Sequence, residues 1–151
     1  MWQKIRNHKY QIGAVVILII GFAFIRHFED VLFYDPFLEF FKGEYAQRPL
    51  PDFIEGRLCL NLFLRYFVNT ILSLMLIYAV FKKMEFIKVA TFIYFFFFVI
   101  LMVMLLVVLH FFSDRLLLLF YVRRFIIQPL FVLLFIPGFY FQQYEVKKQN
   151  R

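Results

Sequence analysis

The sequence predicts an all-α integral membrane protein, with four transmembrane helices in one domain and an aromatic, amphipathic segment in the first, external loop. Three observations predict it. Hydrophobic residues fill 64% of 151 positions and mean hydropathy is +0.77, more apolar surface than a soluble domain of this length can bury. The apolar residues run in four unbroken stretches rather than alternating with polar ones, which favours helices over a barrel. Basic residues gather before the first stretch, between the second and third, and after the fourth.

The first stretch, Ile12 to Ile25, has only 14 residues and needs its flanks to cross the hydrocarbon. Tyr10, Gln11 and Phe28 supply interfacial turns, giving a span of about 11–28. Lys4, Arg6 and Lys9 ahead of a short apolar core also resemble a signal peptide. The residues that follow, Phe24-Ile25-Arg26-His27-Phe28, lack the small-x-small cleavage pattern, so a retained helix is expected.

The second span is Leu58 to Phe81. Inside it, and just before it, Arg57, Asn61, Arg65, Asn69 and Ser73 recur at intervals of four. Each such step drifts about 40° around a helix, so any three neighbouring rungs share one face about 80° wide. The third span, Val89 to Phe112, has four consecutive phenylalanines at 95–98 and is expected to be the most lipid-facing. The fourth, Leu116 to Phe141, is interrupted by Arg123-Arg124, Gln128-Pro129 and Pro137-Gly138. Its two prolines each remove a backbone donor, so kinks are expected at both.

The first loop, Arg26 to Arg57, carries seven acidic and four basic residues. Lys4, Arg6 and Lys9 at the start, Lys82, Lys83 and Lys88 in the turn at 82–88, and Lys147, Lys148 and Arg151 in the tail outweigh the acids near them. The positive-inside rule therefore places both termini and that turn in the cytoplasm and the acidic loop outside. Within the loop, Phe33, Phe37, Phe40 and Phe41 can form one apolar face beside Asp35, with Pro36 opposing a continuous helix. An amphipathic segment lying on the outer membrane surface is expected. Residues 42–56 hold Gly43, Pro49, Pro51 and Gly56 and read as a connector.

Depth then singles out a candidate site. Arg65 lies seven residues past Leu58, roughly 10 Å below the boundary, and Arg123 and Arg124 reach a similar depth on the fourth span. An arginine there costs several kcal/mol unless something answers it. The candidate intramembrane polar face is Arg57, Asn61, Arg65, Asn69, Arg123, Arg124 and Gln128, with Asp35 and Phe37 as the outer-loop candidates. The answering group is either Asp35, a lipid phosphate, a substrate carboxylate, or an acid of another protein. Snorkelling arginines and asparagines that simply bridge helices are the structural alternative.

Other chemistry finds less footing. The net charge of +7 is accounted for by membrane orientation rather than by nucleic acid. His8, His27 and His110 have no zinc spacing, and no phosphate loop, paired-acid motif, cofactor or metal pattern is present. Cys59 with Arg65 and His110 permits a thiol reading, though neither Cys59 nor His110 sits in a motif.

The whole chain resembles a family of small flavobacterial membrane proteins, the exosortase F system-associated proteins. The resemblance rests on Arg26-His27-Phe28-Glu29-Asp30, on Phe33-Tyr34-Asp35-Pro36-Phe37, on Arg57, Asn61, Arg65 and Asn69, and on Arg123-Arg124-Phe125 with Gln128-Pro129-Leu130. It implies a non-enzymatic accessory of an exosortase, the polytopic cysteine transpeptidase that processes sorting signals, in the bacterial inner membrane. No catalytic residue carries over. The expected partners are the bilayer, the exosortase or its substrate's membrane tail, and an anionic lipid. A small transporter or anion-binding protein is the alternative, and a divergent thiol transpeptidase the third reading.

Overall fold

A computed structural model describes residues 2–44, 48–128 and 130–149, and the described residues are helical with no strand. Helix α1 spans Trp2–His27, α2 Glu29–Leu32, α3 Pro36–Phe40, α4 Glu55–Phe81, α5 Met84–Phe111, α6 Leu116–Ile127 and α7 Leu130–Gln149. Three helices are long and apolar enough to cross a membrane, and α6 with α7, bent by 56°, is long and apolar enough together to make a fourth. The protein is thus an all-α, multi-pass membrane protein.

Helix α4 is central and packs against α1, α5, α6 and α7. Its buried residues include Leu58, Leu62, Arg65, Tyr66, Asn69, Ser73, Leu76 and Ile77, a stripe at steps of three and four that also contains three rungs of the polar ladder. The drift around the axis sorts the ladder by burial. Arg57 is exposed, Asn61 half-buried, and Arg65, Asn69 and Ser73 buried, as expected when three neighbouring rungs share one face.

Helix α1 is peripheral. Leu18 is its one buried side chain among those described, and Gly21 faces the Leu72 side chain of α4. Near the termini, Gln11 Nε2 donates to the Val80 carbonyl at 2.8 Å. The most lipid-facing span is therefore α1 rather than the third span. Although Phe92 and Phe95 of α5 are exposed, Phe86, Ala90, Tyr94, Leu101, Leu105 and Val108 form a packed stripe on that helix.

The turn between α4 and α5 is only Lys82-Lys83, shorter than the expected 82–88. Nothing from Met84 to Lys88 opposes helix, and Glu85 suits the positive end of the helix dipole in the first turn. Lys82 terminates α4 in the left-handed conformation, φ 52°, with its N–H on the Tyr78 carbonyl at 2.8 Å.

The last crossing breaks once. Gln128 has φ −99° and ψ 136°, the extended backbone that a following proline imposes. Pro129 itself lies outside the described residues. The expected second interruption is not seen, because α7 continues through Pro137. Phe131 meets Phe97 and Tyr94, Phe135 meets Tyr94, and Phe139 stacks on Phe86 at 4.6 Å. These contacts descend α5 towards its start, so α7 completes the crossing rather than turning back.

The aromatic loop segment differs most from expectation. It forms two one-turn helices separated at Pro36, with Asp35 capping α3 by accepting the Phe37 N–H at 3.2 Å. Its apolar face, expected against the membrane surface, instead folds onto the bundle. Phe37 is 1% exposed and packs against the rings of Phe40, Phe41 and Phe53. The segment is a plug over the loop end of the bundle.

Candidate intramembrane polar site

The plug carries two carboxylates down to the arginines of the bundle. Glu29, at the start of α2, pairs with Arg65 Nη2 of α4 and also with Arg26 Nη1 of α1 at 3.3 Å. Asp35, just before α3, is gripped by Arg123 of α6: Nε donates to Oδ1 at 3.1 Å and to Oδ2 at 2.9 Å, and Nη2 also pairs with Oδ2. Arg65 Nη1 stands 3.8 Å from the same Asp35 oxygen. A chain of ion pairs therefore runs Arg26–Glu29–Arg65–Asp35–Arg123 and joins α1, the plug, α4 and α6.

The interior of this chain is dry. The side chains of Arg65 and Asp35 are 2% and 3% exposed, and Arg123 is buried as well. Arg65 is the largest fully buried side chain among the described residues. Its guanidinium carbon lies 5.7 Å from the Phe33 ring centre, and Arg123 stands 5.9 Å from that of Phe41. Arg65 Nε and Nη1 make no hydrogen bond. Pairing within a low-dielectric interior compensates for desolvation only when both partners stay in place, so each acid fixes the position of the plug.

The remaining ladder residues serve the backbone. Asn61 accepts the Tyr34 N–H at 3.1 Å and donates to the Arg57 carbonyl at 2.8 Å, tying the plug to α4. Arg57 lies over the Tyr34 ring at 4.5 Å. Asn69 Nδ2 donates to the Ile127 carbonyl at 2.9 Å, and Ser73 Oγ to the Asn69 carbonyl at 2.7 Å. The Ile127 bond answers a carbonyl at the C-terminus of α6, where the helix ladder stops. Between the Arg65 and Asn69 rungs, Tyr66 OH donates to the Tyr94 carbonyl at 2.7 Å.

Of the expected polar face, Arg65 and Arg123 come together through Asp35. Asn61 and Asn69 act as backbone bridges, and Arg124 with Gln128 lies beside the cluster, Arg124 Nε donating to Gln128 Oε1 at 3.2 Å. Asp35 is therefore the answer to Arg123, the internal alternative among those open from the sequence. Glu29 is the residue that sequence reasoning missed. It stands outside the apolar spans, and its signals were its place among the acids nearest the arginines and within the Arg26-to-Asp30 motif that carries the resemblance.

The thiol constellation does not assemble by hydrogen bonding. Cys59 is a half-buried free thiol. His110 Nδ1 lies 3.0 Å from the Leu106 carbonyl and 3.4 Å from Glu55 Oε1. No group of three metal-ligating side chains occurs among the described residues.

Fold and site together define a multi-pass helical membrane protein whose loop plug is ion-paired into its bundle. No family model, curated protein or solved structure matches this chain.

Proposed function

We propose that this chain is a non-enzymatic accessory protein of an exosortase-type sorting system in the bacterial inner membrane, with both termini cytoplasmic and the plug outside. The orientation rests on the three basic segments, all at the termini end of the bundle. The sorting role rests on the resemblance carried by Arg26 to Asp30, Phe33 to Phe37, the Arg57–Asn69 ladder and Arg123 to Leu130.

The observation that favours an accessory over an enzyme is where these residues go. They are spent on each other: Glu29 and Asp35 on arginines, Asn61 and Asn69 on backbone groups. A site built this way holds a fixed surface rather than turning over a substrate. That surface is the plug together with the outward face of α1, whose described side chains are mostly exposed to lipid or a partner helix. In this reading the sorting enzyme or the membrane tail of its substrate packs there.

Photocrosslinkers placed at exposed Ile17, Phe24 and Val31 in native membranes test the proposal. Capture of an exosortase, or of a substrate bearing its sorting signal, is expected from these sites. A crosslinker at Phe92, exposed on α5 away from α1, provides the comparison. Sorting that proceeds normally in a strain lacking this chain would overturn the role.

A further inference from the structure

Arg65, Arg123 and Arg124 all lie at membrane depth, yet they are answered differently. Arg65 and Arg123 are buried and meet carboxylates. Arg124 is exposed, about 12 Å beyond Leu116 along the helix, and no carboxylate lies within ion-pair distance of it among the described residues. Its contacts are the neutral Gln128 amide and the Phe120 ring at 5.9 Å. A guanidinium in that position costs several kcal/mol without an anion.

Beside it is a cavity of about 180 Å³, lined among others by Arg26, Lys42, Arg123, Arg124, Gln128 and Glu29. At roughly 30 Å³ per water, that volume holds a polar group of several heavy atoms. The charges around it do not cancel. Arg26, Lys42, Arg65, Arg123 and Arg124 are five cations, and Glu29, Asp30 and Asp35 are the three carboxylates paired with them. Arg26 shares Glu29 with Arg65, and Lys42 holds Asp30 only at an exposed 3.5 Å. Two positive charges are left over in this group, beside one small cavity whose lining is both polar and apolar. It lies between the end of α1, the plug and α6.

We propose that this cavity is a binding site for a phosphate group, reached by a membrane phospholipid whose phosphate sits between Arg124 and Arg26. Arg124 offers the planar fork suited to phosphate oxygens, Arg26 and Lys42 close the site from the interface, and Gln128 steadies Arg124. Glu29 also lines the cavity and opposes an anion, but Arg65 and Arg26 already hold it. The site stands apart from the sorting role and does not depend on it.

The test uses the full chain, purified in a neutral detergent and stripped of lipid, with thermal unfolding as readout. Dioleoylphosphatidic acid and dioleoylglycerol differ only by the phosphate. The first is expected to raise Tm and the second to leave it unchanged. Arg124→Gln and Arg26→Gln are each expected to weaken the phosphatidic acid response about tenfold in half-saturating concentration. Lys88→Gln, which removes an exposed cation at the opposite end of the bundle, should leave the response intact. Glycerol phosphate without acyl chains separates the sources: an equal, Arg124-dependent shift would assign the site to soluble phosphate, and none assigns it to lipid. Equal shifts with dioleoylglycerol, no shift with any phosphate compound, or a full response in both glutamine variants would overturn the site. The lipid comparison on the parent protein decides even if Arg124→Gln does not fold.

Discussion

Replacing Asp35 by asparagine removes one charge from the centre of the ion-pair chain while keeping its shape. The asparagine oxygen can still accept the Phe37 N–H, so the cap of α3 survives and its loss of about 1 kcal/mol is avoided. What disappears is the carboxylate that answers Arg123, in a pair whose side chains are 5% and 3% exposed. Breaking a buried pair by removing one partner costs about 3–5 kcal/mol, because the other charge stays buried and unanswered. Arg65 keeps Glu29 and should hold its place. A companion variant, Asp35→Leu with Arg123→Met, removes both charges. It should regain most of the loss, leaving a deficit near the lost cap, since apolar replacements of buried pairs are often neutral. All are measured by unfolding in mixed micelles as the denaturing-detergent fraction rises, with Asp35→Leu alone and Arg123→Met alone completing the cycle. If Asp35→Asn costs less than about 1 kcal/mol and the single effects simply add, Arg123 is not held by Asp35 and the clasp is wrong.

Three further outcomes follow from the same contacts. Asn69→Ala should cost about 0.6–1.7 kcal/mol in the same unfolding assay by stranding the Ile127 carbonyl, and a silent variant would mean the α6–α7 break caps itself. Phe37→Ala empties a position that is 1% exposed, so a loss of about 3–5 kcal/mol is expected, with faster amide exchange confined first to residues 29–40; uniform exchange across α4 instead would show that the plug is not a separate unit. In a Cys59→Ser background, cysteines at exposed Glu44 and Lys83 report orientation. An impermeant thiol reagent applied to intact spheroplasts should label position 44 and spare 83, and the reverse pattern would invert the topology.

Much of the bundle was legible because membrane helices announce themselves by length and hydropathy, and the ladder Arg57 to Ser73 by its period. Residue spacing also located Arg65 and Arg123 at one depth, which is why both meet Asp35. Boundaries were less legible. Helix α5 starts at Met84 rather than Val89, because the charged residues that mark a membrane boundary are no obstacle to helix. The interruption at Gln128 was visible in the following proline, whereas Pro137 lies within a continuing helix, a position where neighbouring helices and local adjustments absorb the missing donor. Glu29 could not be assigned to Arg65, since nothing local in a loop sequence says which arginine of a distant helix it will meet.

The placement of the plug follows from what lipid does and does not reward. Phe33, Phe37, Phe40 and Phe41 lose water whether they dip into the membrane surface or fold onto the bundle, so aromatic composition cannot choose between the two. Periodicity suggested the surface for that reason. The choice is made by the polar groups. On the membrane surface Glu29 and Asp35 would remain hydrated while Arg65 and Arg123 stood unanswered at membrane depth, at several kcal/mol each. Folded inward, the same carboxylates answer both arginines, and the Tyr34 N–H finds Asn61. Hydrophobicity thus brings the segment to the membrane, while charge and hydrogen bonding fix where it sits. Neutralising Asp35 and Glu29 together should therefore release the plug toward the surface even though every phenylalanine is retained.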